Sequence, residues 1–445
     1  MICDNISVNE KGHLTFVGYD TVELAEKYGT PLYLMDEDKI REHVRAYKTA
    51  MAKYFPVGSM PEFASKAFSC KQIYRIMAEE GIDIDVVSPG EIYTAASAGF
   101  PMENSFFHGN NKTDADIRFA IENKVGCFVV DGEDELSALD RIAGEMGIKQ
   151  NILLRITPGI DPHTHKKIST GSVDSKFGTA IETGQAMEFV KKALALGNVK
   201  LCGFHCHVGS QIFESQPFTD ASEIMLQFIA DVRDKLGYTA ETLNLGGGFG
   251  VRYTESDPEI DYGEKIKEVA EILNNQCENL GLPVPKILME PGRSLVADAG
   301  MTLYTVGSVK EITGYKTYVS IDGGMTDNPR YTLYESPYTV VLASRANDQK
   351  DYTATVAGRC CESGDLIQEN VKMPKPRRGE ILAVLTTGAY NYSMASNYNR
   401  VGRPPVVMLN SKRDYIAVRR ETFKDICALA EYWGPEIGAK TNRGL

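Results

Sequence analysis

The stretch Thr242-Leu-Asn-Leu-Gly-Gly-Gly-Phe-Gly250 runs from a short apolar segment into a dense glycine turn, and its position decides the fold. A dinucleotide fold opens with G-x-G-x-x-G on its first βα unit. Here the glycines fall on the seventh of eight units. Working outward, the strand candidates are Glu62–Lys66, Ile84–Val87, Ser105–Phe107, Cys127–Val130, Ile152–Ile156, Leu201–Val208, Thr242–Leu245 and Ile287–Met289. Helical patterns separate them, at Lys71–Glu80, Gly90–Ala98, Asp114–Asn123, Glu133–Met146 and Glu264–Leu280. The repeat averages ~32 residues, the size of one βα unit. Short apolar strands alternating with helices belong to a parallel sheet buried on both faces. Eight units predict an α/β fold built on a closed (β/α)8 TIM barrel over residues 38–300, with a doubly wound open sheet as the alternative.

Past residue 300 the texture changes. Leu303–Ile312, Lys316–Ile321, Thr339–Ser344, Tyr352–Ala357, Glu380–Leu385, Val406–Leu409 and Tyr415–Arg419 are β-branched or aromatic runs, and only Thr422–Tyr432 has a helical pattern. Residues 301–445 therefore read as an antiparallel β domain. Residues 1–37 carry strand-like runs (His13–Val17, Leu32–Met35) and are expected to pack on that domain.

With 445 residues, 43% hydrophobic and 24% charged, the composition is that of a globular protein with a large core. A net charge of −12 without any Lys/Arg tract lacks the basic footprint that nucleic acid or an anionic membrane requires. No apolar run approaches the roughly 18–20 residues that span a bilayer. The nine cysteines are scattered with no CxxC, as reduced thiols are, and Met1–Asn5 does not open a secretory signal. The expected location is the cytoplasm.

Lys66, His207, Gly246–Gly250 and Glu290-Pro-Gly-Arg293 each stand at the C-terminal end of an expected strand, the face where a barrel gathers catalytic groups. The glycines suit a phosphate cradle or a tight turn. Lys66, in Phe63-Ala-Ser-Lys-Ala67, suits a Schiff base with a carbonyl group, or a strand-end amine reaching solvent. His205 and His207, two apart, suit either a metal pair, with His163 and His165 as a second HxH, or an imidazole laid against a flat ring beside Ser210. No histidine follows 207 to complete a barrel metal site, so no metal is expected. Glu290 suits a pyridine nitrogen, which it would keep protonated as an electron sink, or a plain ion pair with Arg293. In the β domain, Arg359-Cys-Cys-Glu-Ser-Gly-Asp365 and Gly388-Ala-Tyr390 are loop clusters of the kind that carry function.

Taken in order, FASKA, HCHVGSQ, GGGFG, EPGR, CESGD and GAY resemble the fold-type III pyridoxal-phosphate decarboxylases over residues 30–410. Among these, the diaminopimelate decarboxylases are the nearest branch, with ornithine and arginine decarboxylases as cousins. The resemblance implies an alanine racemase-like barrel plus a β domain, with pyridoxal 5'-phosphate as cofactor. It implies that Lys66 bonds the cofactor, His207 stacks on its ring, and Glu290 pairs with its nitrogen. Ser210, Gly247, Gly248, Pro291, Gly292 and Arg293 would line the phosphate. Catalysis would involve Lys66, His207 and Cys361, the last protonating the carbanion. Arg293, Arg330, Tyr334, Glu362 and Tyr390 would bind substrate, with Cys361 and Glu362 reaching the active site of the neighbouring subunit of a homodimer. The implied reaction converts meso-2,6-diaminopimelate to L-lysine. The alternatives are another basic amino acid or polyamine precursor (ornithine, arginine, carboxynorspermidine) or a non-catalytic regulatory homologue. A racemase would pair the ring nitrogen with arginine, and a regulatory homologue would lose Lys66 or Cys361. Three positions depart from the family pattern: Tyr331 replaces proline, Tyr338 stands where histidine is common, and Ser88-Pro-Gly-Glu91 replaces SGGE.

Overall fold

Eight short parallel strands close on themselves in a computed structural model that describes residues 2–160 and 175–431. They are Met60–Ala64, Asp83–Val86, Ser105–Phe107, Cys127–Val130, Gln150–Thr157, Val199–His205, Thr242–Asn244 and Lys286–Met289. Each pairs with the next, and the eighth returns to the first through Leu288 with Met60 and Met289 with Pro61, so the sheet is a barrel and has no open edge. Phe106, Cys127, Val129, Leu153 and Leu288 pack together inside it. The filled floor leaves the strand ends as the place for chemistry.

The surrounding helices carry local start signals. Asp36 caps Glu37–Tyr54 by accepting from the Lys39 N–H, and Ser88 caps Pro89–Ser97 through the Glu91 N–H. Thr113 and Asp116 form a reciprocal capping box ahead of Asp114–Glu122.

The second sheet is mostly antiparallel, with two parallel pairings that the sequence reading did not anticipate: Lys316–Ile321 with Tyr352–Ala357, and Val406–Leu409 with Leu32–Asp36. Leu32–Asp36 lies between Gly300–Ile312 and Val406–Leu409, so an N-terminal strand runs inside this sheet. Four further corrections follow. Thr21–Tyr28 is a helix, not strand-like chain, because the Asp20 carboxylate accepts from the Val22 and Glu23 N–H groups and starts it. Leu366–Met373 is a strand, and Arg330–Tyr334 is a helical turn. The helix expected at Thr422–Tyr432 spans only Phe423–Cys427, and Tyr432 lies outside the described residues. With the closed barrel, the molecule has the alanine racemase-like (β/α)8 architecture plus a β domain.

Candidate active site

The first barrel strand stops at Ala64, and Lys66 sits in the tight turn Ser65–Ala67 just beyond it rather than in the strand. Asp85 of the second strand accepts the Ser65 N–H at 3.0 Å, and its carbonyl accepts the Ser65 hydroxyl. From the β domain, the Tyr390 N–H donates to the Ala67 carbonyl and the Ser393 hydroxyl to the Lys66 carbonyl, both at 2.8 Å. The Lys66 backbone is thus pinned on both sides. Its side chain enters a cavity of about 380 Å³ that Asp85, His108, Arg155, His205, His207 and Glu290 also line. Burial works to lower the Lys66 pKa, but Tyr390, Asp85 and Glu290 outweigh it and hold the amine above its ordinary value.

Across that cavity Glu290 follows the eighth strand. Its Oε1 lies 2.9 Å from Nε2 of His205 and 3.4 Å from Nε2 of His108, and the two imidazoles meet edge to face at 5.1 Å. Burial alone would raise the Glu290 pKa, yet the imidazoles of His108, His205 and His207 hold it well below the usual carboxylate range. Burial pulls the imidazoles of His205 and His207 below theirs. Oε1 of Glu290 and both ring nitrogens of His205 complete no hydrogen bond among the described residues. Glu290 and Arg293 do not form the plain ion pair that the sequence left open: the basic side chains within 4 Å of the Glu290 carboxylate among the described residues are the imidazoles of His108 and His205. His163 and His165 lie outside the described residues.

The glycine run lies against the same wall. The Gly247 N–H donates to Nδ1 of His207 at 3.2 Å, which puts the ring proton on Nε2. A Cβ on Gly247 would fall 2.0 Å from the Glu290 carbonyl oxygen. At Gly248, where φ is +136°, it would fall 2.7 Å from the Gly209 carbonyl. Only glycine lets this loop sit so close to its neighbours. Arg293 reaches the same region: Nη2 donates to the Ser210 hydroxyl at 2.9 Å and Nη1 to the Tyr253 hydroxyl at 2.6 Å. The Pro291 carbonyl accepts the Ala64 N–H at 3.1 Å, and Gly292 packs against Ala64 and Ala67, which ties this motif to the Lys66 turn.

Arg330 and Tyr334, from the β domain, join the cluster. The Arg330 guanidinium stands 5.6 Å from the Tyr253 and Tyr334 ring centres and 5.7 Å from that of Tyr390. Tyr338 is buried edge-on against Tyr253 at 5.3 Å. Cys361 and Glu362 are exposed in the turn before Asp365, and neither lines the cavity. The sequence reading missed Asp85, His108, Arg155, Asn244 and Tyr253. The first four carried the signal that singled out Lys66, a polar group in or just after an apolar barrel strand.

These groups suit pyridoxal 5'-phosphate. The amine and a carboxylate with an unsatisfied oxygen share one cavity, and beside it runs a glycine cradle next to Arg293, whose buried Nε also lacks a partner among the described residues. The chain belongs to the pyridoxal-dependent decarboxylases, whose pyridoxal binding domain matches residues 37–297. It is therefore a carboxy-lyase that uses pyridoxal 5'-phosphate. Among characterised members, it is 45% identical to the diaminopimelate decarboxylase of Bacillus subtilis (strain 168) over 95% of this chain and 96% of that one. It is 48% identical to the diaminopimelate decarboxylase of Halalkalibacterium halodurans, again over 95% and 96%. The crystal structure of the diaminopimelate decarboxylase of M. jannaschii in complex with L-lysine superposes with a TM-score of 0.88 at 35% identity, covering 97% of this chain and 99% of that one. No helix among the described residues is long and apolar enough to cross a membrane.

Proposed function

We propose that the protein decarboxylates meso-2,6-diaminopimelate to L-lysine, in lysine biosynthesis. The observation that carries this reading is a charge excess. Arg293 and Arg330 are both buried, at 5% and 7% exposure, and neither pairs with a carboxylate among the described residues. Buried cations without counter-ions await anionic ligands. Arg293, beside Ser210 and the glycines, suits the cofactor phosphate and the substrate; Arg330, ringed by tyrosines, suits the carboxylate that the product retains.

Lys66 would hold the cofactor through its amine, His207 would lie against its ring, and Glu290 would keep a proton on the ring nitrogen. Ser210, Gly247, Gly248, Pro291, Gly292 and Arg293 would bind the phosphate, and Tyr390 would contact both cofactor and substrate. When bound, the cofactor supplies the electron sink for the pair released as CO₂ departs. A proton then replaces the lost carboxylate, and Cys361 delivers it. Glu362 binds the distal ammonium, while Arg293, Arg330 and Tyr334 orient the carboxylate end. Cys361 and Glu362 act in the partner's site within a homodimer, a reading supported by their exposure and their place outside the lining of their own cavity. In this reading residues 38–300 carry the cofactor, and residues 301–445 with 1–37 supply the substrate end. The nine free cysteines suit the cytoplasm.

The test is CO₂ release from diaminopimelate, lysine, ornithine, arginine and carboxynorspermidine with cofactor bound. Turnover confined to diaminopimelate is expected, and none on diaminopimelate would overturn the reading.

A further inference from the structure

Glu62 is a buried titratable group that the proposed chemistry does not use. It lies within the first barrel strand, with no exposed surface and no ion pair among the described residues. A carboxyl in such a place costs stability unless something else requires it. Among the described residues its one side-chain hydrogen bond crosses the barrel interior: Oε2 accepts from Nδ2 of Asn244 at 3.2 Å, and Oε1 meets no partner there. Asn244, also without exposed surface, ends the seventh strand. The other face of its amide, Oδ1, accepts the Gly246 N–H at 2.8 Å. The Gly246 carbonyl in turn accepts the Glu290 N–H at 2.9 Å, and Gly247 donates to His207.

We propose that Glu62 is a positioning residue that, through Asn244, sets the entry of the glycine cradle and thereby tunes how tightly the cofactor phosphate is held. An asparagine amide has a donor face and an acceptor face and can sit either way round. Only one orientation accepts the Gly246 N–H, and the acceptor oxygen of Glu62 selects it. An apolar residue at 62 leaves the Asn244 N–H buried without a partner and the orientation unfixed. Burial, reinforced by Glu290, raises the Glu62 pKa well above the usual range. An amide at 62 supplies the same acceptor.

The inference rests on the cofactor reading, and its test compares variants that all begin from a wild type shown to bind the cofactor. Equilibrium affinity of cofactor-stripped enzyme for pyridoxal 5'-phosphate is measured with the ³¹P resonance of the bound phosphate and the melting temperature of the cofactor-free form. Glu62→Gln is expected to match wild type in affinity and resonance. Glu62→Met, similar in volume and without an acceptor, is expected to lose affinity about tenfold and shift the resonance, while the cofactor-free form melts no lower. Asn244→Ala is expected to lose a similar factor, and the double variant no more than the larger single loss, as coupled residues do. Wild-type affinity in Glu62→Met would overturn the proposal. So would a Glu62→Gln variant as impaired as Glu62→Met, additive losses in the double variant, or an affinity loss that only follows a lowered melting temperature. Failure of the wild type itself to bind the cofactor would instead strike the underlying assignment.

Discussion

The guanidiniums of Arg293 and Arg330, one from the barrel and one from the β domain, share two tyrosine rings. Arg293 stands 5.8 Å from the Tyr253 centre and 4.8 Å from that of Tyr390, and Arg330 stands 5.6 and 5.7 Å from the same two. The rings hold two like charges apart from water without neutralising them, so the pair keeps its pull on anions.

Arg330→Gln therefore removes the second anion site and leaves the first. The expected result is a KM for diaminopimelate raised about 10- to 100-fold, the range for a lost charge-assisted hydrogen bond. Cofactor affinity is expected to stay near wild type. Steady-state kinetics beside a cofactor titration separates the two.

Lys66→Ala should fold, since the backbone contacts of the turn to Asp85, Tyr390 and Ser393 do not involve the amine. Purified protein is expected to be colourless where wild type is yellow, with unchanged far-UV circular dichroism. A yellow Lys66→Ala protein would remove this lysine from its role.

Glu290→Gln keeps the size of the side chain and removes its charge. Cofactor is expected to remain bound while kcat falls on the order of 10²–10³-fold, as when one preorganised electrostatic group is lost. Single-turnover CO₂ release on the loaded variant measures it.

If Cys361 acts in the partner's site, Lys66→Ala and Cys361→Ala fail in different halves of a composite site. Mixing the two inactive proteins under conditions that exchange subunits should restore about a quarter of wild-type activity, because half the dimers then hold one intact site of two. No recovery would place Cys361 outside the reaction or within its own subunit's site.

Asp327, buried within the β domain and accepting from the Tyr304 hydroxyl and the Gly324 N–H, has its pKa pushed up to about 7 by burial. Between its ordinary 3.8 and that value the folded state binds the extra proton, so this residue's contribution to stability falls as pH rises. Denaturant titrations at pH 5 and pH 8 should show wild type losing about 1–3 kcal/mol more than Asp327→Asn across that interval, at 1.36 kcal/mol per pKa unit. Equal losses would contradict the assigned protonation.

The barrel was legible because each strand is a short apolar run buried on both faces, a signal that needs no partner to be read. Lys66 and Glu290 were legible because charge at such strand ends is anomalous. What stayed hidden depends on closure: His108 and His205 come from strands three apart in the barrel, and only the ring brings both to Glu290. The two parallel pairings in the β domain were hidden for the same reason, since Leu32–Asp36 meets Val406–Leu409 from the other end of the chain. The Thr21–Tyr28 helix was readable from the Asp20 cap and was missed because strand-like runs flank it.

That N-terminal strand has a consequence for biosynthesis. Leu32–Asp36 is wholly buried, and one neighbour in its sheet, Gly300–Ile312, lies more than 250 residues further along and leaves the ribosome correspondingly later. Throughout that interval an apolar edge has nothing to pair with, the condition under which nascent chains recruit chaperones or aggregate. The barrel can close during translation, but the sheet beside it is completed only when Leu32–Asp36 meets Val406–Leu409.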